Sequence, residues 1–285
     1  MTSEKKLIIY RLVIYILLTF VPLTIAVITL NNTLGGLLFD EKLAQSPVTS
    51  LVGFLGMMFP AVASVITRLV PKEGWRDSYL RANFKGNMKY YLAAIFIPVI
   101  YSCLGGLIAA TVYGFAKSGE YSGAEVFSSI ILSLEMAVMT AFLGFGEELG
   151  WRGYMMPKLE KLFGTPASVL IGGILWGLWH APLTCSGHNF GTNYAGFPFV
   201  GIALMCLMCT LMNCVLTYIT KKSKSVYPAA ILHMVNNQVG GLFVTLFVNP
   251  KTNNIGAFLL TLIPMTVFAA IMFILMLRMK KEEQA

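Results

Sequence analysis

The chain has 285 residues, of which 56% are apolar and only 12% are charged. Soluble domains carry about 25% charged residues, so this composition excludes an ordinary soluble protein and describes an integral membrane protein. The net charge of +8 does not point to nucleic acid, because cationic loops hold the cytoplasmic side of membrane proteins.

The first apolar run, 7–30, is too long for the core of a signal peptide, and no small-residue cleavage site follows it. It is a retained span. A crossing needs about 20 apolar residues, and seven further stretches qualify: 49–70, 89–115, 125–146, 166–184, 197–220, 226–248 and 254–278. The expected fold is all-α, a polytopic membrane helix bundle of about eight transmembrane helices. With a cytoplasmic N-terminus and eight crossings, the inside segments hold Lys5, Lys6 and Arg11, then six basic residues from Arg68 to Lys89. They go on to hold Arg152, Lys158 and Lys161, then Lys221, Lys222 and Lys224, and finally Arg278, Lys280 and Lys281. Only Lys42, Lys117 and Lys251 fall outside. Eighteen of the 21 basic residues on one side predict that both termini are cytoplasmic.

Between the second and third spans, Trp75, Tyr79, Leu80, Phe84 and Met88 recur near helical spacing among Arg76, Arg81, Lys85 and Lys89. This pattern suits an amphipathic helix on the cytoplasmic membrane surface; the alternative is a solvated basic loop. Cys206 and Cys209 form a C-x-x-C inside an apolar run. With no second ligand pair nearby they are packing residues.

Polar residues inside the apolar runs carry the functional signal. Glu147, Glu148 and Arg152 close the fourth span in the stretch E-E-L-G-W-R. Ionised groups in the membrane cost about 3 kcal/mol each on insertion scales. Trp176 and His180 lie four apart in the fifth span, and His233 and Asn237 lie four apart in the seventh. Residues four apart share a helix face, which places His233 and Asn237 on one side and pairs Glu148 with Arg152. Glu147 points about 100° away from Glu148, which leaves one of the two carboxylates to face the interior: Glu147 if Glu148 pairs with Arg152, with the reverse assignment as the alternative. Glu135, midway along the fourth span, is expected to bond a backbone or hydroxyl group rather than to catalyse. His188 is expected to be solvated in an outside loop. Glycines around the polar groups, among them Gly144, Gly150, Gly173 and Gly177, predict close helix approach.

The order E-E-x-x-x-R, aromatic-x-x-x-H, H-x-x-x-N on three successive membrane elements resembles the CPBP family. That family includes type II CAAX prenyl endopeptidases and bacterial bacteriocin-processing or bacteriocin-immunity proteins, the Abi family. The match covers roughly 125–245, with Trp176 where the second motif usually has Phe. It divides the chain into N-terminal helices with the cytoplasmic amphipathic segment (1–124), a CPBP-like catalytic core (125–248), and a last helix with a basic tail (249–285). The resemblance implies an intramembrane endopeptidase open to the cytoplasmic side. Glu147 would activate water oriented by His180, His233 and Asn237 would hold the oxyanion, and Glu148, Arg152 and Trp176 would support the site. No cofactor is favoured. Zinc held by Glu147, His180 and His233 is the alternative, although H-E-x-x-H is absent.

The expected partners are the lipid bilayer and a membrane-associated protein or peptide substrate, with no nucleic acid. The compact chain points to a bacterial cell membrane. A non-proteolytic immunity or scaffold protein of the same fold is the first rival. A proton-relaying transporter is the second, disfavoured by the lack of a repeated half or matched broken spans.

Overall fold

The computed structural model describes residues 2–39, 42–43, 46–70, 72–116, 121–249 and 255–282. Among them the regular structure is helical, apart from one isolated bridge between Phe115 and Val248. The helices are α1 (Ser3–Leu34), α2 (Pro47–Leu69), α3 (Met88–Tyr113), α4 (Gly123–Met139), α5 (Ala141–Gly150), α6 (Met156–Trp179), α7 (Ala181–Cys185), α8 (Phe199–Ser223), α9 (Tyr227–Val239), α10 (Leu242–Phe247) and α11 (Ile255–Glu282). A π-helical turn, Trp151–Met155, joins α5 to α6. Seven of the described helical segments are long and apolar enough to cross a membrane. The chain is an integral, multi-pass membrane protein.

Two of the eight expected stretches are distributed differently. The stretch 125–146 breaks at Thr140 (φ −99°, ψ 5°), where α4 stops after 17 residues. From Ala141 one helical run of 39 residues continues to Trp179. At 1.5 Å per residue it would extend about 58 Å, nearly twice the ~30 Å hydrocarbon layer. Gly164, at φ 75° and ψ 169°, interrupts it just before Pro166. An apolar window registers composition and not the point where the backbone turns, which is why eight stretches become seven candidate spans.

Two compact units interleave along the chain: Met1–Leu80 with Gly146–Asn213, and Arg81–Phe145 with Cys214–Ala285. In the first, α1 packs on α2, α6 and α7. The N-cap Thr2 accepts from Lys5 N, and Gly35 ends the helix in the left-handed conformation (φ 65°). This helix serves as a ruler for its unit. Arg11 Nε lies 3.6 Å from Glu73, Tyr15 packs edge-on to Trp151 at 5.9 Å, and Thr19 O accepts from Trp179 Nε1 at 3.2 Å. Farther along, Asn31 Nδ2 donates to Ser186 Oγ at 2.8 Å. Arg11 to Asn31 spans about 30 Å of helix, one hydrocarbon thickness. The two indoles therefore lie about 6–12 Å inward of the charged end. Glycine sets the close crossings: a Cβ on Gly150 would fall 2.4 Å from Pro60 of α2, and one on Gly177 2.4 Å from Cys206 of α8.

In the second unit α3 is the hub, contacting α9, α10 and α11, while α4 lies on α9. Ala109, Ala110, Val244, Val248 and Ala257 form a buried apolar cluster there. A Cβ on Gly144 would meet Ala230 O at 2.6 Å, so α5 and α9 touch backbone to backbone.

The amphipathic cytoplasmic helix does not form. The described residues 72–87 are turns and irregular backbone, with Lys72, Tyr79 and Asn83 at left-handed φ of 51°, 55° and 55°. Three left-handed residues are incompatible with a right-handed helix, whatever the periodicity of the aromatics.

Candidate active site

Glu147 and Glu148 are buried, at 2% and 0% exposure, near the end of α5. They are adjacent in sequence and differ in surroundings. Arg152 Nη1 donates to Glu148 Oε1 at 2.9 Å, and both side chains are at most 1% exposed. Glu147 Oε2 instead accepts from two indoles, Trp151 Nε1 at 3.1 Å and Trp176 Nε1 at 2.8 Å. One helical turn makes both pairs, since 147 and 151, like 148 and 152, are four residues apart. Arg152 also lies 4.4 Å from the centre of the Trp176 ring, so the tryptophan from α6 touches both systems. Trp151 itself is fixed edge-on between Tyr15 and Trp179.

His180 follows α6 directly, and its ring meets Trp179 edge-on at 4.7 Å. Its Nδ1 lies 2.9 Å from Trp176 O. A carbonyl can only accept, so Nδ1 carries the proton and Nε2 is the basic nitrogen. Cys209 Sγ is 4.0 Å from the same Nδ1, and all five cysteines are free. His188 is not a solvated loop residue. It is half-buried, its ring 4.7 Å from Phe39 and stacked parallel to His180 at 6.3 Å. Burial pushes its imidazole down to about 4. The left-handed turns at Gly187 and Asn189 fold this histidine back onto the protein.

In the second unit, α9 carries His233, 3% exposed, and Asn237, which is exposed. Between them Asn236 is buried at 7% and accepts from Tyr101 Oη of α3 at 2.5 Å. Asn236 Nδ2 lies 3.4 Å from Asn237 Oδ1, so the α3 tyrosine reaches Asn237 through its neighbour. Glu135 is exposed on α4 and makes none of the bonds to backbone or hydroxyl expected of it among the described residues. Ala137 is the one buried residue of that helix.

Sequence reasoning missed Trp151 and Tyr101. Trp151 was legible: the spacing that pairs Glu148 with Arg152 also pairs Glu147 with Trp151. Nothing local marks Tyr101, 135 residues from its partner.

A charged layer in the first unit lies outward of Glu147 along α1. Lys158 Nζ is 2.6 Å from Glu73 Oε1, and Arg68 Nη1 is 2.8 Å from Asp77 Oδ1. Burial would raise the Asp77 carboxyl. The charge and hydrogen bond of Arg68, with Lys158 and Lys161, outweigh that and hold it below the usual carboxylate range.

No group of three His, Cys, Asp or Glu side chains among the described residues is arranged to hold a metal ion.

Fold and side chains together define a class: a multi-pass helical membrane protein with carboxylate, imidazole and indole groups buried in an apolar body. The sequence model of the family described as Type II CAAX prenyl endopeptidase Rce1-like matches residues 129–239, the stretch that carries Glu147, His180, His233 and Asn237. The chain is also 26% identical over 231 residues to CAAX prenyl protease 2 of Methanococcus maripaludis, across 74% of this chain and 79% of that protein. Residues 129–239 are thus similar to the Rce1-like, or CAAX protease, family, and the longer match is similar to a CAAX prenyl protease.

Proposed function

We propose that this protein is an intramembrane endopeptidase that hydrolyses a peptide bond in a membrane-associated protein or peptide. The observation that carries the reading is Glu147: a buried carboxylate with one oxygen held by two neutral N–H donors, inside the stretch that matches the endopeptidase family. Glu147 takes a proton from the attacking water. His180, with Nε2 as its basic nitrogen, orients that water. His233 and Asn237 donate to the oxyanion, and such donors are worth about 3 kcal/mol each in other hydrolases. Glu148 and Arg152 neutralise each other, and Trp176 links that pair to Glu147.

The mechanism we favour needs no metal: a carboxylate held in place by two N–H donors can take a proton from water directly. The substrate proposed first is a prenylated C-terminal peptide, after the name of the Methanococcus relative. Purified protein should cleave such a peptide or members of an unmodified peptide library, and should do so after prolonged exposure to 1,10-phenanthroline. Stoichiometric zinc, with activity lost to the chelator and restored by metal, would establish the metallopeptidase alternative. Absence of cleavage from every peptide would leave the immunity or scaffold reading.

Both termini are proposed to be cytoplasmic, in a bacterial cell membrane. The asymmetry of basic residues supports this, as does the placing of Arg11, Arg68 and Lys158 in one layer toward the start of α1. Reporter fusions after Lys85 and after Lys222 should both report cytoplasm, and one near Asn189 the opposite side. An outside signal at residue 222 would overturn the orientation.

A further inference from the structure

Arg68 ends α2, yet its side chain is only 1% exposed. A buried guanidinium costs several kcal/mol unless its donors and charge are met; here Nη1 and Nη2 are met on two sides, while Nε has no hydrogen-bond partner. Nη1 donates to Gly74 O at 2.6 Å and to Asp77 Oδ1 at 2.8 Å, within the loop after α2. Nη2 donates to Gly153 O at 2.7 Å, 85 residues away. The ion also packs near the rings of Trp75 and Tyr154, at 5.3 and 5.0 Å.

Gly153 belongs to the π-helical turn Trp151–Met155, where Met156 N–H reaches back to Trp151 O. Widening a helix to this spacing disturbs the usual pairing of carbonyl with amide four residues on, so a buried π turn gains from an outside donor. Arg68 supplies one. The same turn presents Trp151, whose N–H holds Glu147 Oε2. One residue before it, Gly150 rests on Pro60, also of α2. The second span therefore fastens the turn at two places, by backbone contact at Pro60 and by hydrogen bond at Arg68.

We propose that Arg68 is a positioning residue for Glu147: through Gly153 it sets the π-helical turn, and the turn aims the Trp151 indole that fixes the carboxylate. The kinetic side of this inference rests on the peptidase reading; the structural side does not. A planar fork can serve Gly153 and the loop at once, and an ammonium cannot reproduce that geometry.

The test uses the full-length protein in detergent, labelled with 15N-tryptophan. Four tryptophans give four indole N–H resonances, and Trp151→Phe assigns one. In Arg68→Met the Trp151 resonance should move toward the position of an indole without an acceptor. In the same variant kcat should fall about tenfold or more with KM nearly unchanged, because misplacement of a catalytic group costs rate rather than binding. Arg68→Lys, which keeps the charge and stays folded if the methionine variant does not, should show the same changes at smaller size.

Because Arg68 acts through Trp151, the double variant Arg68→Met/Trp151→Phe should lose no more activity than the worse single. With lysine in the same cycle the expectation is identical. A Trp151 resonance unmoved in both folded Arg68 variants, or losses that multiply in the double, would overturn the inference. A wild type that cleaves nothing would fail the peptidase reading instead, and the Trp151 resonance would still decide whether Arg68 positions the indole.

Discussion

Two carboxylate regions of the first unit lie within a few helical turns of each other along α1, and their direct hydrogen-bond partners differ. Near Arg11, Glu73 and Asp77 sit among cations, with Lys158 and Arg68 at 2.6 and 2.8 Å. Deeper, beside Tyr15, Glu147 accepts from two neutral indoles. A carboxylate matched to a cation is an ion pair, and moving its proton must break that pair. A carboxylate held by N–H donors keeps a fixed orientation while its proton can come and go. Glu148, next in the chain to Glu147, follows the first pattern because the helix turns it toward Arg152. Direct hydrogen-bond partners distinguish Glu147 from Glu148 where burial does not, since both are almost fully enclosed and the Arg152 charge acts on both.

Substitution of the two neighbours should break the comparison most strongly. Glu147→Gln keeps an oxygen for the indoles and removes the base, so the protein should fold and its cleavage rate should fall by about 10²–10⁴-fold. Glu148→Gln or Arg152→Ala strands a buried charge and should cost about 3–5 kcal/mol, read as a lower yield of folded protein and a lower Tm. Full activity in Glu147→Gln, or normal stability in both pair variants, would erase the distinction.

A smaller loss is expected on α9. Asn237→Ala removes one oxyanion donor and leaves the base, so kcat should drop by up to about 10² with measurable activity remaining. A loss as complete as that of Glu147→Gln would give Asn237 more than a donor's share.

The smallest effect concerns His188. Its folded imidazole titrates at about 4, against about 6.5 for an unfolded histidine. As pH falls below about 6.5 the unfolded chain takes the proton first, so stability is lost between about pH 6.5 and 4 and the slope ends below. His188→Phe, which can still pack on Phe39, should flatten the fall of Tm across that window. Parallel curves for variant and wild type would show that the ring is solvated after all.

Parts of this protein were legible before any coordinates. Apolar runs gave the helical membrane class, because a span must be long, apolar and internally hydrogen-bonded. The three motifs drew attention to Glu147, His180, His233 and Asn237, and spacing of four set Arg152 beside Glu148. The same spacing carried Trp151, which went unread because an indole in an apolar run looks like packing. The aromatic and basic rhythm of 75–89 misled, since periodicity cannot register three left-handed residues.

What the sequence by itself determined is therefore local: which segments are apolar, which side chains share a turn, and which motifs recur in order. Tertiary structure alone decided the rest. It brought Trp176 to Glu147 from 29 residues away and Tyr101 to Asn236 across 135. It also folded His188 onto His180 and put Arg68 against the carbonyl of Gly153. A helix repeat of 3.6 residues fixes neighbours within one helix and is silent on which helix packs against it. Those partners depend on where glycines let backbones close and where Gly164 turns the chain.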